Sequence, residues 1–339
     1  MKLEKAIKFK NGKKRNSEVG DIPVYGGNGI LGYTNIYNAE KNNIIIGRVG
    51  AYCGCVYKND NKCWISDNAI VGNVKEGYDY NYMYYLLKNM NLNYLHIGSS
   101  HPLMTQDILN NIEISIPDYQ YQQRAAKILN SIDNKIELNS QINDNLQKLG
   151  YKLISNELQQ KPKKELRKVI RFIKGKKPLH ISKNKKKNYL PYLTIANLNN
   201  QEDLYANKEK TIVANNELLM VMDGASSGDV YYSDYGVVGS TLAKVQILDN
   251  NYNQAVIYFI LKYFSDYIKS KNTGSAIPHT DKEIIYKLLI PNIEEQRIYK
   301  DILDNILKLN KQNRKLEQLR DTLLPKLMNG EIDLEKIEI

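Results

Sequence analysis

Several things are scarce in this chain, and each scarcity removes a class of protein. Its three cysteines, Cys53, Cys55 and Cys63, are too few and too clustered for a disulfide framework, which fits a reducing compartment. They lack a C-x-x-C pair, so buried small residues account for them better than three zinc ligands do. No stretch approaches the ~18 consecutive apolar residues of a membrane span. The opening Met1-Lys2-Leu3-Glu4-Lys5 has no apolar centre of a secretion signal, so a soluble, cytoplasmic protein without membrane contact is expected.

Catalytic signatures are equally sparse. Gly12-Lys13-Lys14 and Gly175-Lys176-Lys177 lack both the first glycine and the hydroxyl of a Walker A loop. Tyr189-Leu190-Pro191-Tyr192 does not fit the Asn/Asp-Pro-Pro-aromatic tetrad of amino-methyltransferases, and no nuclease-like carboxylate and lysine cluster occurs. His96, His101, His180 and His279 fall in no triad or metal-ligand spacing. Gly27-Asn28-Gly29-Ile30-Leu31-Gly32 has the spacing of a dinucleotide fingerprint, but no βαβ unit surrounds it, so it reads as a turn. A chain without catalysis, metal or cofactor of its own is expected.

Positive charge, by contrast, is plentiful. The formal charge of +11 is spread as +3 over 1–116, 0 over 117–160, +9 over 161–290 and −1 over 291–339. Basic globular parts on neutral spacers suit binding to a polyanion, because lysine and arginine gain affinity by neutralising phosphates and releasing counterions. The bland alternative is a basic protein that binds nothing. Lys10, Lys13, Lys14 and Arg15 cluster in the first part, and Lys174, Lys176, Lys177, Lys183, Lys185, Lys186 and Lys187 in the second. These are candidate phosphate clamps, although any one lysine alone is better read as solvated.

The chain is written twice. Leu3-Glu4-Lys5-Ala6-Ile7-Lys8-Phe9 returns as Leu166-Arg167-Lys168-Val169-Ile170-Arg171-Phe172, with roughly half the positions identical. A unit this long indicates duplicated domains, since solenoid repeats are far shorter. Each half has short apolar runs broken by Gly and Asn, which predict strands and turns. Each then has a Gly-rich corner, Gly50-Ala51-Tyr52-Cys53-Gly54 and Gly224-Ala225-Ser226-Ser227-Gly228, where glycine supplies positive φ or close approach. Arg48 precedes the first corner and Met222, followed by Asp223, the second.

Tyr-rich helical patterns follow at Tyr80 to Met90 and Ala255 to Lys269, best read as core packing. Next come similar loops that contain His101 and His279, in which the imidazoles either meet phosphate or base edges or pack the loop. Thr280-Asp281-Lys282-Glu283 has the form of a capping box and predicts a short helix. Strands are expected at Ile112–Ile116 and Lys287–Ile290.

Two long helices close the halves. Ile116-Pro117 leads through Gln123-Arg124, and Ile290-Pro291 leads through Gln296-Arg297. Leu129, Ile132, Ile136, Asn139, Ile142, Leu146, Leu149 and Leu153 form a narrow seam, and Ile302, Ile306, Leu309, Asn313, Leu316, Leu319, Leu323 and Leu327 form another. Asn139 and Asn313 are equivalent, and a polar residue in such a seam costs stability but restricts register. The two helices are therefore expected to pack on each other with these asparagines near the pseudo-two-fold.

The duplication, the segment Ile22-Pro23-Val24-Tyr25-Gly26-Gly27-Asn28-Gly29-Ile30-Leu31-Gly32-Tyr33, the Gly274–His279 loop, the paired helix openings and the ending Leu319–Ile332 closely resemble the specificity subunit of type I restriction-modification systems. The resemblance covers essentially the whole chain. It implies an α+β fold with pseudo-two-fold symmetry: mixed-sheet target recognition domains at 1–116 and 161–290, and antiparallel coiled-coil helices at 117–160 and 291–339. It also implies recognition of a bipartite, asymmetric site in double-stranded DNA.

The implied partners are two methylation subunits, which use S-adenosylmethionine to methylate adenine, and two restriction subunits, which use ATP and Mg. A stand-alone bivalent DNA-binding or regulatory protein is the competing reading. Candidate DNA contacts are the clustered cations without Lys174, together with Arg48, Tyr52, His101, Ser226, Ser227 and His279. A helix of about 35 residues spans ~50 Å, so the two head centres are expected ~15 base pairs apart at 3.4 Å per pair, with an unread spacer in the target.

Overall fold

The computed structural model describes residues 1–14, 19–98, 100–160, 163–199, 201–274 and 277–334, with the side chain of Gln160 excepted. Arg15, Ser99, Ser275 and Ala276 lie outside the described residues. Two compact units emerge, one of Met1–Leu138 with Gln312–Ile339 and the other of Asn139–Lys311. Each contains one whole head and a portion of both long helices, so the units cut across the helix boundaries rather than following chain order.

The first head is built on β1 (Ile7–Asn11), β2 (Ile22–Gly26), β3 (Gly29–Thr34), β4 (Asn43–Gly47), β5 (Val56–Asn59), β6 (Trp64–Ile65) and β7 (Ala69–Val74). These make a four-stranded sheet ordered β1-β7-β4-β5 and a three-stranded sheet ordered β3-β2-β6. All pairs are antiparallel except β2 with β6. Strand β4 is buried along its whole length, as its Ile44-Ile45-Ile46 run requires. Gly27-Asn28 is the loop of the β2–β3 hairpin, with Gly29 at φ +79°, so the glycine spacing there makes a turn.

Helix α1 (Tyr80–Asn89) is capped by Asp79, whose side chain accepts from the Tyr82 N–H, and α2 (Gln106–Asn110) by Thr105. The strand expected at Ile112–Ile116 does not form. Only Glu113 bridges, to Lys2, and the Met1 amino group donates to the Ile114 carbonyl at 2.7 Å. Helix α3 (Tyr119–Gln160) follows.

The second head contains β8 (Lys163–Glu165), β9 (Ile170–Lys174), β10 (Ile181–Ser182), β11 (Tyr189–Leu193), α4 (Ile195–Leu198), β12 (Tyr205–Asn207), β13 (Val213–Ala214), β14 (Leu218–Val221), β15 (Val230–Tyr232), β16 (Gly236–Val238) and β17 (Leu242–Ile247). It continues with α5 (Gln254–Tyr263), α6 (Ser265–Ser270), α7 (Lys282–Tyr286) and β18 (Leu289–Pro291), and α8 (Arg297–Met328) ends it. Its sheet β9-β17-β14-β15 repeats the order of the first head, strand for strand. The other sheet, β10-β12-β11-β16-β13, keeps the parallel pair as β11 with β16 and adds β10 and β13 at its edges. Helix α7 starts as its sequence predicts, with Asp281 rather than Thr280 as the cap.

Each core joins a head to helix. In the first unit Tyr82, Tyr85 and Leu87 of α1 pack with Ala125 and Leu129 of α3 and with Leu327 and Met328 of α8. In the second, Ile257 and Phe259 of α5 pack with Ile154 of α3 and with Tyr299 and Ile302 of α8. Full burial of each such side chain is worth ~1.5–3 kcal/mol. Early α3 residues meet late α8 residues in one unit, and late meet early in the other, so the helix segments run antiparallel within each.

The seam departs from the expected spacing beyond Asn139. Ile142 and Leu149 are exposed, and the buried residues are Asn143, Gly150 and Ile154. A straight helix of 3.6 residues per turn drifts against a strict heptad, so the buried stripe moves one residue along. The same drift exposes Leu319 and buries Leu324. Gly150 faces the Phe259 ring closely enough that a Cβ would overlap it. Asn313 donates to the Ile136 carbonyl at 3.2 Å, and Asn143 donates to the Asn310 side chain at 2.7 Å. Asn139 is fully buried.

A candidate nucleic-acid interface at the sheet ends

The same two loops meet at the same end of the four-stranded sheet in each head. In the first, β1 and β4 flank β7, end at the same edge of the sheet and run into Gly12-Lys13-Lys14 and the corner Gly50–Gly54. Gly50 and Gly54 take φ of +73° and +84°, and Gly224 and Gly228 take +106° and +93°. A second loop braces each corner: the Gly50 N–H donates to the Pro102 carbonyl at 3.1 Å, and the Gly224 N–H to the Pro278 carbonyl at 2.9 Å. Gly98 and Gly274 open these bracing loops at φ +83° and +89°, where a Cβ would strike the carbonyl three residues on. Glycine is therefore demanded by backbone geometry at these positions.

That correspondence sets the two loops in register. Val49 bridges Leu103 in the first head, and Asp223 bridges His279 in the second. His279 is thus the equivalent of Leu103, while His101 corresponds to Ile277, so the two histidines occupy different places in matching loops. His101 and His279 are both exposed.

The other candidates divide by environment. Lys10, Lys13, Lys14 and Tyr52 are exposed at the mouth of the first head, and Lys176 and Lys177 at that of the second. Arg48 is half-buried, with Nη1 donating to the Asp67 carbonyl at 3.2 Å. Its counterpart Met222 is buried.

Ser226 is half-buried, whereas Ser227 is 1% exposed and its hydroxyl proton is shared between the Gly224 and Pro278 carbonyls at 2.7 and 2.8 Å. Ser227 is therefore a strut of the corner and is removed from the candidate contacts. Lys183, Lys185, Lys186 and Lys187 are exposed on the β10–β11 connection, which belongs to the other sheet.

The charge arrangement differs most at the centre of the mouth. Asp223 receives Lys174 Nζ at 2.9 Å on one oxygen and lies 2.7 Å from His279 Nδ1 on the other. Burial pushes its carboxyl up, but the hydrogen bonds from Lys174 and His279 outweigh this and hold it below the usual range. The first head has Asn11, Val49 and Leu103 in place of Lys174, Asp223 and His279. Setting the repeats in register would have revealed this cluster, because two bridged apolar residues are exchanged together for a bridged acid and base.

The cysteines do not share one environment. Cys53 belongs to the main core of the first unit and Cys63 to a smaller cluster with Ala39 and Ile45. Burial pushes the Cys63 thiol up to about 11. Among the described residues no group of three His, Cys, Asp or Glu side chains is placed to hold a metal ion. No described helix is long and apolar enough to cross a membrane.

Two α+β heads of one topology, each presenting the same pair of braced loops with different side chains, define a duplicated protein with two related surfaces. Its residues 3–148 and 160–319 match the family described as type I restriction modification DNA specificity domain. The chain belongs to that family, as a type I restriction-modification specificity subunit. It is 29% identical over 167 residues to the MjaVIII specificity subunit of Methanocaldococcus jannaschii, a match covering 47% of this chain but 39% of that relative, well under two thirds of its length.

A putative type I specificity subunit of Mycoplasma pneumoniae is 24% identical over 310 residues, covering 86% of this chain and 82% of the relative. The crystal structure of a type I S subunit from M. genitalium matches with a TM-score of 0.64 at 20% identity, covering 96% and 95% of the two chains. At that identity the likeness concerns the fold.

Proposed function

We propose that this chain selects the DNA sequence on which methylation and restriction subunits act, without carrying out either reaction. Each head reads one half of a bipartite, asymmetric site through the loops at its sheet end. The observation that carries this reading is the pair of mouths, alike in backbone and different in Arg48 against Met222, Val49 against Asp223 and Leu103 against His279. One scaffold with two sets of side chains suits two different half-sites. The exposed lysines around both mouths supply phosphate contacts, which position the protein without specifying sequence.

The long helices are where two methylation subunits dock, and their neutral charge favours protein over phosphate. S-adenosylmethionine belongs to those subunits, and ATP and Mg to the restriction subunits. Sequencing of modified bases in a host carrying the intact system tests the reading. A split adenine-methylated motif that disappears when this chain is deleted is expected, and methylation that persists unchanged would refute it. Shortening both helices equally should shorten the unread spacer.

A further inference from the structure

The Asp223–His279 pair fixes which proton the imidazole carries. Asp223 is held ionised and has no proton to give, so the 2.7 Å contact requires His279 Nδ1 to be the donor. In the neutral ring the other nitrogen, Nε2, is then a bare acceptor. The His279 side chain is 51% exposed while that of Asp223 is 23% exposed. The acid therefore sits behind the ring, and the ring sits at the surface. Lys174 ends strand β9, which lies across β17 from β14, and Lys176 and Lys177 follow it, which gives the mouth its positive charge. Lys174 neutralises Asp223 from the opposite side and removes the repulsion a free carboxylate would offer to phosphate.

We propose that His279 is a specificity-determining residue of the second head, accepting through Nε2 a hydrogen bond from an exocyclic amino group of adenine or cytosine, with Asp223 as its positioning residue. Those amino groups are the hydrogen-bond donors that base edges present in the major groove. Leu103, at the same place in the first head, offers only apolar contact, such as to a thymine methyl. The two heads thereby ask chemically different questions at one equivalent position. The inference rests on the reading of this chain as a DNA-specificity subunit.

The test uses the full chain expressed with its methylation partner and reads the modified motif by single-molecule sequencing. His279→Leu should lower discrimination at one base pair of one half-site about tenfold, the effect of one lost base contact, and leave the other half-site unchanged. His279→Gln, which keeps an acceptor, should retain part of it. Asp223→Asn can donate to Nδ1 and reverse the ring tautomer, so preference at that same position should move towards guanine or thymine, whose edges accept.

A motif unchanged in all three variants overturns the proposal. So does a uniform loss of methylation at every sequence by folded protein, the signature of a phosphate contact. Absence of any bipartite motif with the wild-type chain would instead defeat the underlying functional reading, and the inference with it. Thermal unfolding of each variant separates misfolding from altered reading, and His279→Gln serves if His279→Leu fails to fold.

Discussion

The two units solve the same packing problem in opposite ways where head meets helix. In the first, Tyr85 of α1 donates to Asp133 of α3 at 2.7 Å, and Arg320 of α8 reaches the other Asp133 oxygen at 3.1 Å. Lys58 joins through Asn81 and Asn130 at 2.9 and 2.8 Å, its ammonium pKa lowered by burial. In the second unit the equivalent positions are Phe259 for Tyr85, Leu307 for Asp133 and Leu146 for Arg320, all parts of one apolar cluster. The shared backbone shows that the joint does not need a particular chemistry. The difference shows where it is directional, because a buried ion pair tolerates only its own partner, whereas an apolar face tolerates many.

Exchanging the two solutions breaks the comparison most strongly. Arg320→Ala strands Asp133 in a site about one quarter exposed and is expected to cost about 2–3 kcal/mol, at or below the ~3–5 kcal/mol of a fully buried pair. Urea unfolding, with hydrogen exchange to locate the effect in the first unit, measures it. Asp133→Leu and Arg320→Leu combined with Tyr85→Phe, which copies the second unit, should return to within ~1 kcal/mol of wild type. A double-mutant cycle that shows no coupling would remove the pair's claim to direct the packing.

The reverse exchange is smaller. Phe259→Tyr puts a hydroxyl among Leu146, Leu307 and Tyr299 and should cost ~2 kcal/mol through an unsatisfied polar group. Tyr85→Phe removes one hydrogen bond to Asp133 and should cost ~1 kcal/mol. If both substitutions proved neutral, the two joints would be interchangeable in chemistry as well as in backbone.

The smallest expected effect distinguishes the mouths by pH. Because the Asp223 carboxyl is held low when folded, its contribution is present above the unfolded pKa of about 3.9 and is lost as pH falls through the lower folded value. Asp223→Val with His279→Leu, which imports the residues of the first head, should flatten that acid limb in a pH series of unfolding midpoints. An unaltered limb would show that the cluster contributes nothing to stability.

Much of this architecture could be read from sequence because it rests on local signals. Glycine turns and apolar spacing placed the two long helical regions, α1 and the two corners, and a capping box placed α7, whereas the stretch expected as one over Ala255–Lys269 is broken at Phe264 into α5 and α6. Contacts between distant segments were less legible. Gln123-Arg124 looks like the copy of Gln296-Arg297, yet Gln122 is the structural equivalent, since each lies five residues beyond its proline.

The polar joint of Tyr85, Asp133 and Arg320 brings together residues far apart in the chain, and no periodicity announces it. Ser227 looked available because sequence alone does not say which hydroxyls the backbone has already claimed.

Gln122 and Gln296 carry a last consequence. Gln122 accepts from the Asp79 N–H at 2.9 Å and donates to the Pro117 carbonyl at 2.9 Å. Gln296 accepts from the Asn253 N–H at 2.7 Å and donates to the Ile293 carbonyl at 2.8 Å. Both amides grip main chain alone, at the turn that starts α1 or α5. A latch that holds only peptide groups is indifferent to the side chains mounted beyond it. Heads of unrelated surface chemistry can therefore be carried on one helical stem, and a change of those surfaces need not disturb the socket that holds the head.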